Sequence, residues 1–269
     1  MKLLSKSNTK IMKGEAYGYL TLGLHLAPAW LSGYNVCPKA SVGCAAACLN
    51  TAGMGKFSTV QKARIAKTKM FFEQREVFMF QLAKEIFNGK KAAVKAGLKL
   101  AIRLNLTSDI RWENTPVVGT NKTMRNMVHG LLGHIDAPVT VPSIIALFPD
   151  VIFYDYTKLA NRGDIPTNYH LTFSKSESND VDVDTTLATE RNIAVVFSTK
   201  KGKPLPKQYR GRPVIDGDIN DLRFLDAPNS IVGLRSKGDA KKDTSGFVVD
   251  ASECGPLYQI EAFPTLVKK

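Results

Sequence analysis

Three of the four cysteines in the chain lie close together, in the stretch NVCPKASVGCAAACLNTAGMGK (35–56). Cys37, Cys44 and Cys48 follow the spacing C-x6-C-x3-C. A disulfide would leave one of these three thiols unpaired. A closed zinc site takes four ligands, usually as close pairs such as C-x2-C. The three thiols could also hold an iron–sulfur cluster, or they could be buried and pack as small apolar side chains.

Small residues around the three cysteines favour iron–sulfur ligation. The backbone of a cluster-binding loop passes close to bulky inorganic sulfur and donates N–H groups to it. The alanines and glycines that would permit this approach are Gly43, Ala45, Ala46, Ala47, Gly53 and Gly55. The sequence therefore predicts a [4Fe-4S] cluster bound by Cys37, Cys44 and Cys48. Cys254 is either its fourth ligand or a buried structural residue, in which case one iron would be open to substrate.

Polar side chains follow the apolar part of most predicted strands. In parallel α/β proteins the carboxyl ends of strands and their loops carry the chemistry. The residues expected to line a site there, as binding or catalytic groups, are Asp109, Tyr154, Asp155, Lys158, Ser174 and Arg235. Since side chains alternate along a strand, Tyr154 and Asp155 are expected on opposite faces. Each could instead be a loop-facing residue that only forms hydrogen bonds.

The hydrophobic pattern alternates between strands and helices. Strands are predicted at 16–26, 98–108, 150–158, 169–176, 193–199, 212–221 and 230–239. Helices are predicted at 57–96, broken at Gly89, and at 140–149 and 185–192. Strands joined by helices or long connections imply a parallel sheet with helical cover. The fold class is therefore α/β, expected as an irregular or partial (β/α) barrel with the cysteine loop after the first strand.

One domain is expected over 1–269, with the barrel core at 16–245 and a tail at 246–269 that carries Cys254. No stretch reaches the ~18 apolar residues of a membrane span, and MKLLSKSNTK lacks the apolar region of a signal peptide. We therefore expect a cytoplasmic protein with no membrane partner. The net charge of +13 is spread over several lysine-rich segments. It supports an alternative function, a basic nucleic-acid-binding protein with a structural zinc site.

The position of the cysteine loop, directly after the first strand of a parallel fold, resembles the radical S-adenosylmethionine superfamily. In that superfamily three cysteines hold a [4Fe-4S] cluster on a partial barrel. The resemblance implies S-adenosylmethionine as a second cofactor and Cys37, Cys44 and Cys48 as cluster ligands. The spacing differs from the family's C-x3-C-x2-C, and no Gly-Gly-Glu-like segment follows the second strand.

A second pattern resembles a little-characterised set of bacteriophage-encoded proteins with a CP…C…C loop. The matching stretches are CPKASVGCAAACLNTAG, RLNLTSDIRWE, FYDYTK, HLTFSKSE and GLRSKGDAKKDTSGFV. They span roughly residues 17 to 254. This resemblance implies the host cytoplasm as the location and brings no assigned activity with it. The electron donor and any small-molecule substrate are therefore open.

Overall fold

The computed structural model of the protein describes residues 1–6, 13–119, 126, 130 and 139–254. Its strands are β1 (Leu4–Ser5), β2 (Tyr19–Leu24), β3 (Lys99–Arg103), β4 (Val117–Gly119), β5 (Val139–Val141), β6 (Ile152–Thr157), β7 (Tyr169–Ser174), β8 (Ile193–Phe197), β9 (Gln208–Tyr209), β10 (Arg212–Asp216) and β11 (Ile231–Arg235). Nine of them form one sheet in the order β1-β2-β3-β6-β7-β8-β11-β10-β9. The strands β4 and β5 pair separately.

Short and long helices connect these strands. The α-helices are α1 (Val42–Ala46), α2 (Ser58–Glu73), α3 (Arg75–Lys95), α4 (Ile144–Leu147) and α5 (Asp180–Leu187). The 3-10 helices are Lys13–Tyr17, Leu49–Thr51, Gly53–Lys56, Trp112–Asn114, Arg223–Leu225, Gly238–Lys242 and Ala251–Cys254. No helix among the described residues is both long and apolar enough to span a bilayer.

The α/β class and the mainly parallel sheet are confirmed. Every neighbouring pair from β2 to β10 is parallel, and only the edge strands β1 and β9 are antiparallel to their neighbours. All seven predicted strands are present. The barrel is not confirmed, because the strand order ends at β1 and β9 and these two edges do not pair within the described residues. The sheet is therefore open.

The two faces of the sheet are covered differently. On one face, α3 contributes Phe78, Leu82 and Ile86 to a core that includes Ile102 and Phe153. On the other face, the 3-10 helix Arg223–Leu225 and Leu222 pack against a smaller group that includes Ala101 and Tyr154. The connection from β10 to β11 thus crosses the face that α3 leaves uncovered.

The break in the long helical tract is not where the sequence predicts it. Helix α2 ends at Glu73 and α3 begins at Arg75, whereas Gly89 lies inside α3. Gly89 is buried, and a Cβ there would lie 2.8 Å from the Leu22 side chain. The glycine therefore permits close packing of the helix on β2, and it does not end the helix. The predicted helix at 185–192 is also shifted, since α5 runs from Asp180 to Leu187.

Candidate functional site

The cysteine loop lies among loops that leave the carboxyl ends of several strands. Glu177, in the loop after β7, accepts hydrogen bonds from the Ser41 hydroxyl and the Gly43 N–H, both at 2.7 Å. In the same way Thr51 donates to Asp239, in the loop after β11, at 2.6 Å. The rule that parallel strands bring their carboxyl-end loops together thus holds around this loop. We call this region the carboxyl-end rim.

Close contacts explain one of the small residues in the cysteine loop. A Cβ at Gly43 would collide with the side chains of Ser245 and Glu177. Ser41 caps the start of α1, because its hydroxyl accepts a hydrogen bond from the Cys44 N–H at 3.2 Å. The loop therefore needs a glycine at residue 43 so that the neighbouring loops can approach it.

Cys37 attaches the start of the loop to the segment after β3. Its N–H donates to the side-chain oxygen of Asn35 at 2.8 Å, and its sulfur lies 3.8 Å from the carbonyl oxygen of Thr107. The Asp109 N–H donates to the carbonyl of Val36 at 2.8 Å. These contacts place Cys37 and Asp109 at the same part of the rim.

The thiols of Cys37, Cys44 and Cys48 are free and lie near enough to influence one another's ionisation. Burial raises the pKa of Cys37 to about 12, and the neighbouring Cys48 and Cys44 thiols add to the increase. Burial also raises the pKa of Cys44 and of Cys48 above the ordinary value. The three thiols are therefore protonated at neutral pH, and a metal that binds them must displace their protons.

Lys158 joins the cysteines to the other predicted site residues. Its ammonium group donates to the Ser174 hydroxyl at 2.9 Å, and its charge lowers the pKa of Cys44 against the larger effect of burial. The same group lies 5.2 Å from the centre of the Phe247 ring. Its backbone N–H donates to the Asp109 carboxylate at 2.8 Å. The structure thus brings Asp109, Lys158 and Ser174 together with the three cysteines.

Asp109 and Glu113 share a buried arginine. Arg162 lies 2.5 Å from the Glu113 carboxylate and 3.4 Å from that of Asp109. Burial raises the pKa of Asp109 above its ordinary value, although the Lys158 N–H and the Arg162 charge act against the increase. The Lys158 N–H and Arg162 therefore hold the Asp109 carboxylate in place beside the cysteines.

Tyr154 and Asp155 lie on opposite faces of β6, as the alternation predicts, and both are buried. The Tyr154 ring packs edge-on against Phe224 at 5.4 Å. The Asp155 carboxylate accepts hydrogen bonds from the Asn105 N–H at 2.7 Å and from the Tyr169 hydroxyl at 2.9 Å. Both side chains are thus fixed within the sheet and its packing.

Arg235 forms ion pairs with Asp216 at 2.9 Å and with Asp218 at 3.2 Å, and it donates to the carbonyl of Lys203. It connects the loops after β8, β10 and β11. Cys254 packs beside Tyr209 of β9, and its sulfur lies 3.2 Å from the Asp250 carbonyl oxygen. The structure therefore does not bring Arg235 or Cys254 next to the three cysteines.

Two charged residues at the rim are not indicated by any sequence motif. Arg64, on α2, is buried and donates to the Asn50 side chain at 2.5 Å, and its charge lowers the pKa of Cys48 against the larger effect of burial. Glu177 supports Ser41 and Gly43 from a distant part of the chain. The stretch HLTFSKSE contains Glu177, but nothing in its spacing indicates that this residue reaches the cysteine loop.

Across the described part of the chain, no three His, Cys, Asp or Glu side chains are arranged to hold one metal ion.

Comparison with known families relates this site to other proteins. The family model described as gene product 88 matches residues 2–251. The chain belongs to the gene product 88 family. The match indicates a phage-type protein, which agrees with the resemblance of the sequence to bacteriophage-encoded proteins. No match is found among curated proteins or among solved structures.

Proposed function

We propose that this member of the gene product 88 family binds a [4Fe-4S] cluster through Cys37, Cys44 and Cys48 and uses it for redox or radical-type chemistry. The observation that carries the proposal is the gathering of three free thiols at the carboxyl-end rim, the edge where parallel α/β proteins place their chemistry. Lys158 and Asp109 lie beside these thiols.

The donor set suits a cluster better than a single ion. All ligands of one zinc ion meet at a single atom, whereas each cysteine of a cubane cluster binds a different iron, so the sulfurs are more widely spaced. A closed zinc site would need a fourth ligand, whereas the three thiols are near enough to influence one another's pKa, as the ligands of one cluster are.

Positive groups at the rim would compensate the charge of a bound cluster. Three thiolates and the inorganic sulfides make a [4Fe-4S] cluster anionic, and nearby cations and hydrogen-bond donors stabilise such a centre. Lys158 acts on Cys44 and Arg64 acts on Cys48, and each lowers the pKa of the thiol that burial has raised. The residues present therefore fit the group.

Three protein ligands would leave one iron without a protein thiolate. When bound, the cluster would supply one-electron chemistry and a Lewis-acidic iron at the rim. Lys158 and Ser174 would orient a substrate there through an ammonium and a hydroxyl group 2.9 Å apart. The radical-type form of the proposal requires S-adenosylmethionine at this iron, and the redox form requires only an electron donor.

Serine variants test the ligand assignment. We expect the protein reconstituted without oxygen, with iron and sulfide, to be brown with a broad absorption near 400 nm, roughly as other cubane clusters absorb. Cys44→Ser should lose most of this absorption. Cys254→Ser is the matched variant: an unchanged spectrum identifies a three-cysteine site, and a lost spectrum identifies Cys254 as the fourth ligand. Full absorption in Cys44→Ser, or zinc in place of iron, would contradict the proposal.

A further inference from the structure

A cleft opens at the end of the sheet opposite the carboxyl ends of the strands, near the amino ends of β7 and β8. The two strands pair only at Phe173 with Ile193 and at Ser174 with Ala194. The first part of β7 therefore separates from β8, and a cleft of about 510 Å³ forms beside it. This volume lies within the range of pockets that bind small molecules. We call it the arginine cleft, after Arg162, Arg191 and Arg223 in its wall.

Two of the three arginines are compensated by carboxylates. Arg162 is paired with the buried Glu113 at 2.5 Å. Arg223 lies 3.2 Å from Asp226, and both side chains are almost fully buried. The Nη1 atom of Arg223 is nevertheless buried without a hydrogen-bond partner in the described part of the chain. Because this atom is buried, it is not open to a ligand in the cleft.

Arg191 is the charge that remains uncompensated. Its Nη1 atom donates to the carbonyl of Ala160 at 2.6 Å. Within the described residues no carboxylate, including that of the adjacent Glu190, lies at ion-pair distance from it. A guanidinium group binds carboxylate or phosphate through two parallel hydrogen bonds. Arg191 thus leaves most of its N–H donors available at the cleft.

Two rings in the wall supply flat surfaces. The Phe224 ring lies 5.7 Å from the exposed His170 ring, and both line the cleft. A ligand with an aromatic part could pack against these rings while its anionic end reaches Arg191. The cleft volume of about 510 Å³ is that of a small-molecule site, so the proposed occupant is a small molecule.

We propose that the arginine cleft binds a small organic anion, whose phosphate or carboxylate group contacts Arg191 and whose ring packs against His170 and Phe224. The cysteine loop follows the carboxyl end of β2, and the cleft adjoins the amino ends of β7 and β8. Among the described residues, no cysteine lines the cleft, although Arg162 in its wall also contacts Asp109 of the rim.

Calorimetric titration of the full chain tests this site with three probes: inorganic phosphate, adenosine 5′-monophosphate and benzoate. We expect saturable binding of at least one probe with a Kd of about 1 mM or tighter. Arg191→Gln should weaken binding about tenfold, since hydrogen bonds to charged groups are lost. Arg210→Gln, which removes an exposed arginine paired with Asp180 and Asp184 outside the cleft, should bind as the wild type does.

Three further variants separate the contributions. His170→Ala changes an exposed side chain and should weaken the two aromatic probes but not inorganic phosphate. Arg191→Lys keeps the charge but loses the two-pronged contact, so it should recover only part of the affinity. Cys44→Ser should bind every probe as the wild type does, which separates this site from the cluster. Absence of saturable binding to the wild type, or equal affinity of Arg191→Gln, would overturn the proposal.

Discussion

At the scale of single residues, Asp155 shows how burial changes the ionisation of a carboxyl group. Burial raises its pKa to about 7, although the Arg103 charge and the hydrogen bonds from Asn105 and Tyr169 act against the increase. An unfolded aspartate has a pKa of about 4. Protonated Asp155 therefore stabilises the fold below pH about 4, and this contribution is lost as the pH rises toward about 7.

As the pH rises from about 4 to about 7, we predict that the free energy of unfolding of Asp155→Asn falls by less than that of the wild type. The asparagine oxygen can still accept from the Asn105 N–H, its amide group can donate to the Tyr169 hydroxyl, and the titration is removed. Urea denaturation across the pH range measures the difference. Asp182→Asn, at an exposed position, is the control and should follow the wild-type profile. An Asp155→Asn profile parallel to that of the wild type would show that this carboxyl group does not titrate there.

At the scale of elements, the packing of α3 on β2 and β3 depends on Gly89. Its hypothetical Cβ would lie 2.8 Å from Leu22 and 3.5 Å from Leu100, both on the neighbouring strands. We predict that Gly89→Val destabilises the protein by about 1–3 kcal/mol, as overpacking of a close contact does. Thermal and urea unfolding measure this loss.

Ala92→Val places the same side chain at an exposed position of the same helix and controls for helix propensity. It should cost less than Gly89→Val. Helix propensity alone would make Gly89→Val no less stable than the wild type, because valine is a better helix former than glycine, so such a result would contradict the helix-to-strand contact. The sequence alone wrongly predicts a helix break at Gly89. The effect of a glycine depends on what packs against it, and the sequence does not show that contact.

At the scale of the whole molecule, Glu177 connects the cysteine loop to the far side of the rim. Burial alone would raise its pKa, but hydrogen bonds from Ser41 and Gly43 hold the pKa of Glu177 below its ordinary value. We predict that Glu177→Gln binds the loop less firmly and loses iron faster after anaerobic reconstitution. Repeated desalting followed by iron analysis measures the loss.

Glu190→Gln, at an exposed position away from the rim, is the matched control. It should retain iron as the wild type does. If Glu177→Gln retains iron equally well, the contact between the two loops is not needed to hold the cluster. Comparison of the unfolding curves separates a local effect on the loop from a general loss of stability.

The sequence is sufficient to predict the strands and part of the rim. Each of the seven predicted strands carries an apolar run, and the parallel arrangement then places Asp109, Lys158 and Ser174 near the cysteines. The open sheet is not predictable in this way, because its edges depend on the two-residue strands β1 and β9, which have no pattern of their own. Glu177 escapes prediction because it meets Gly43 across a sequence separation of 134 residues.

Iron and sulfide analysis of the wild-type protein, isolated without oxygen, tests the central claim most directly. The account predicts about four irons and four acid-labile sulfides per chain, as a cubane cluster contains. It also predicts that this content disappears in Cys37→Ser and in Cys48→Ser while the fold is retained. Protein that binds neither iron nor sulfide after anaerobic reconstitution would contradict the account.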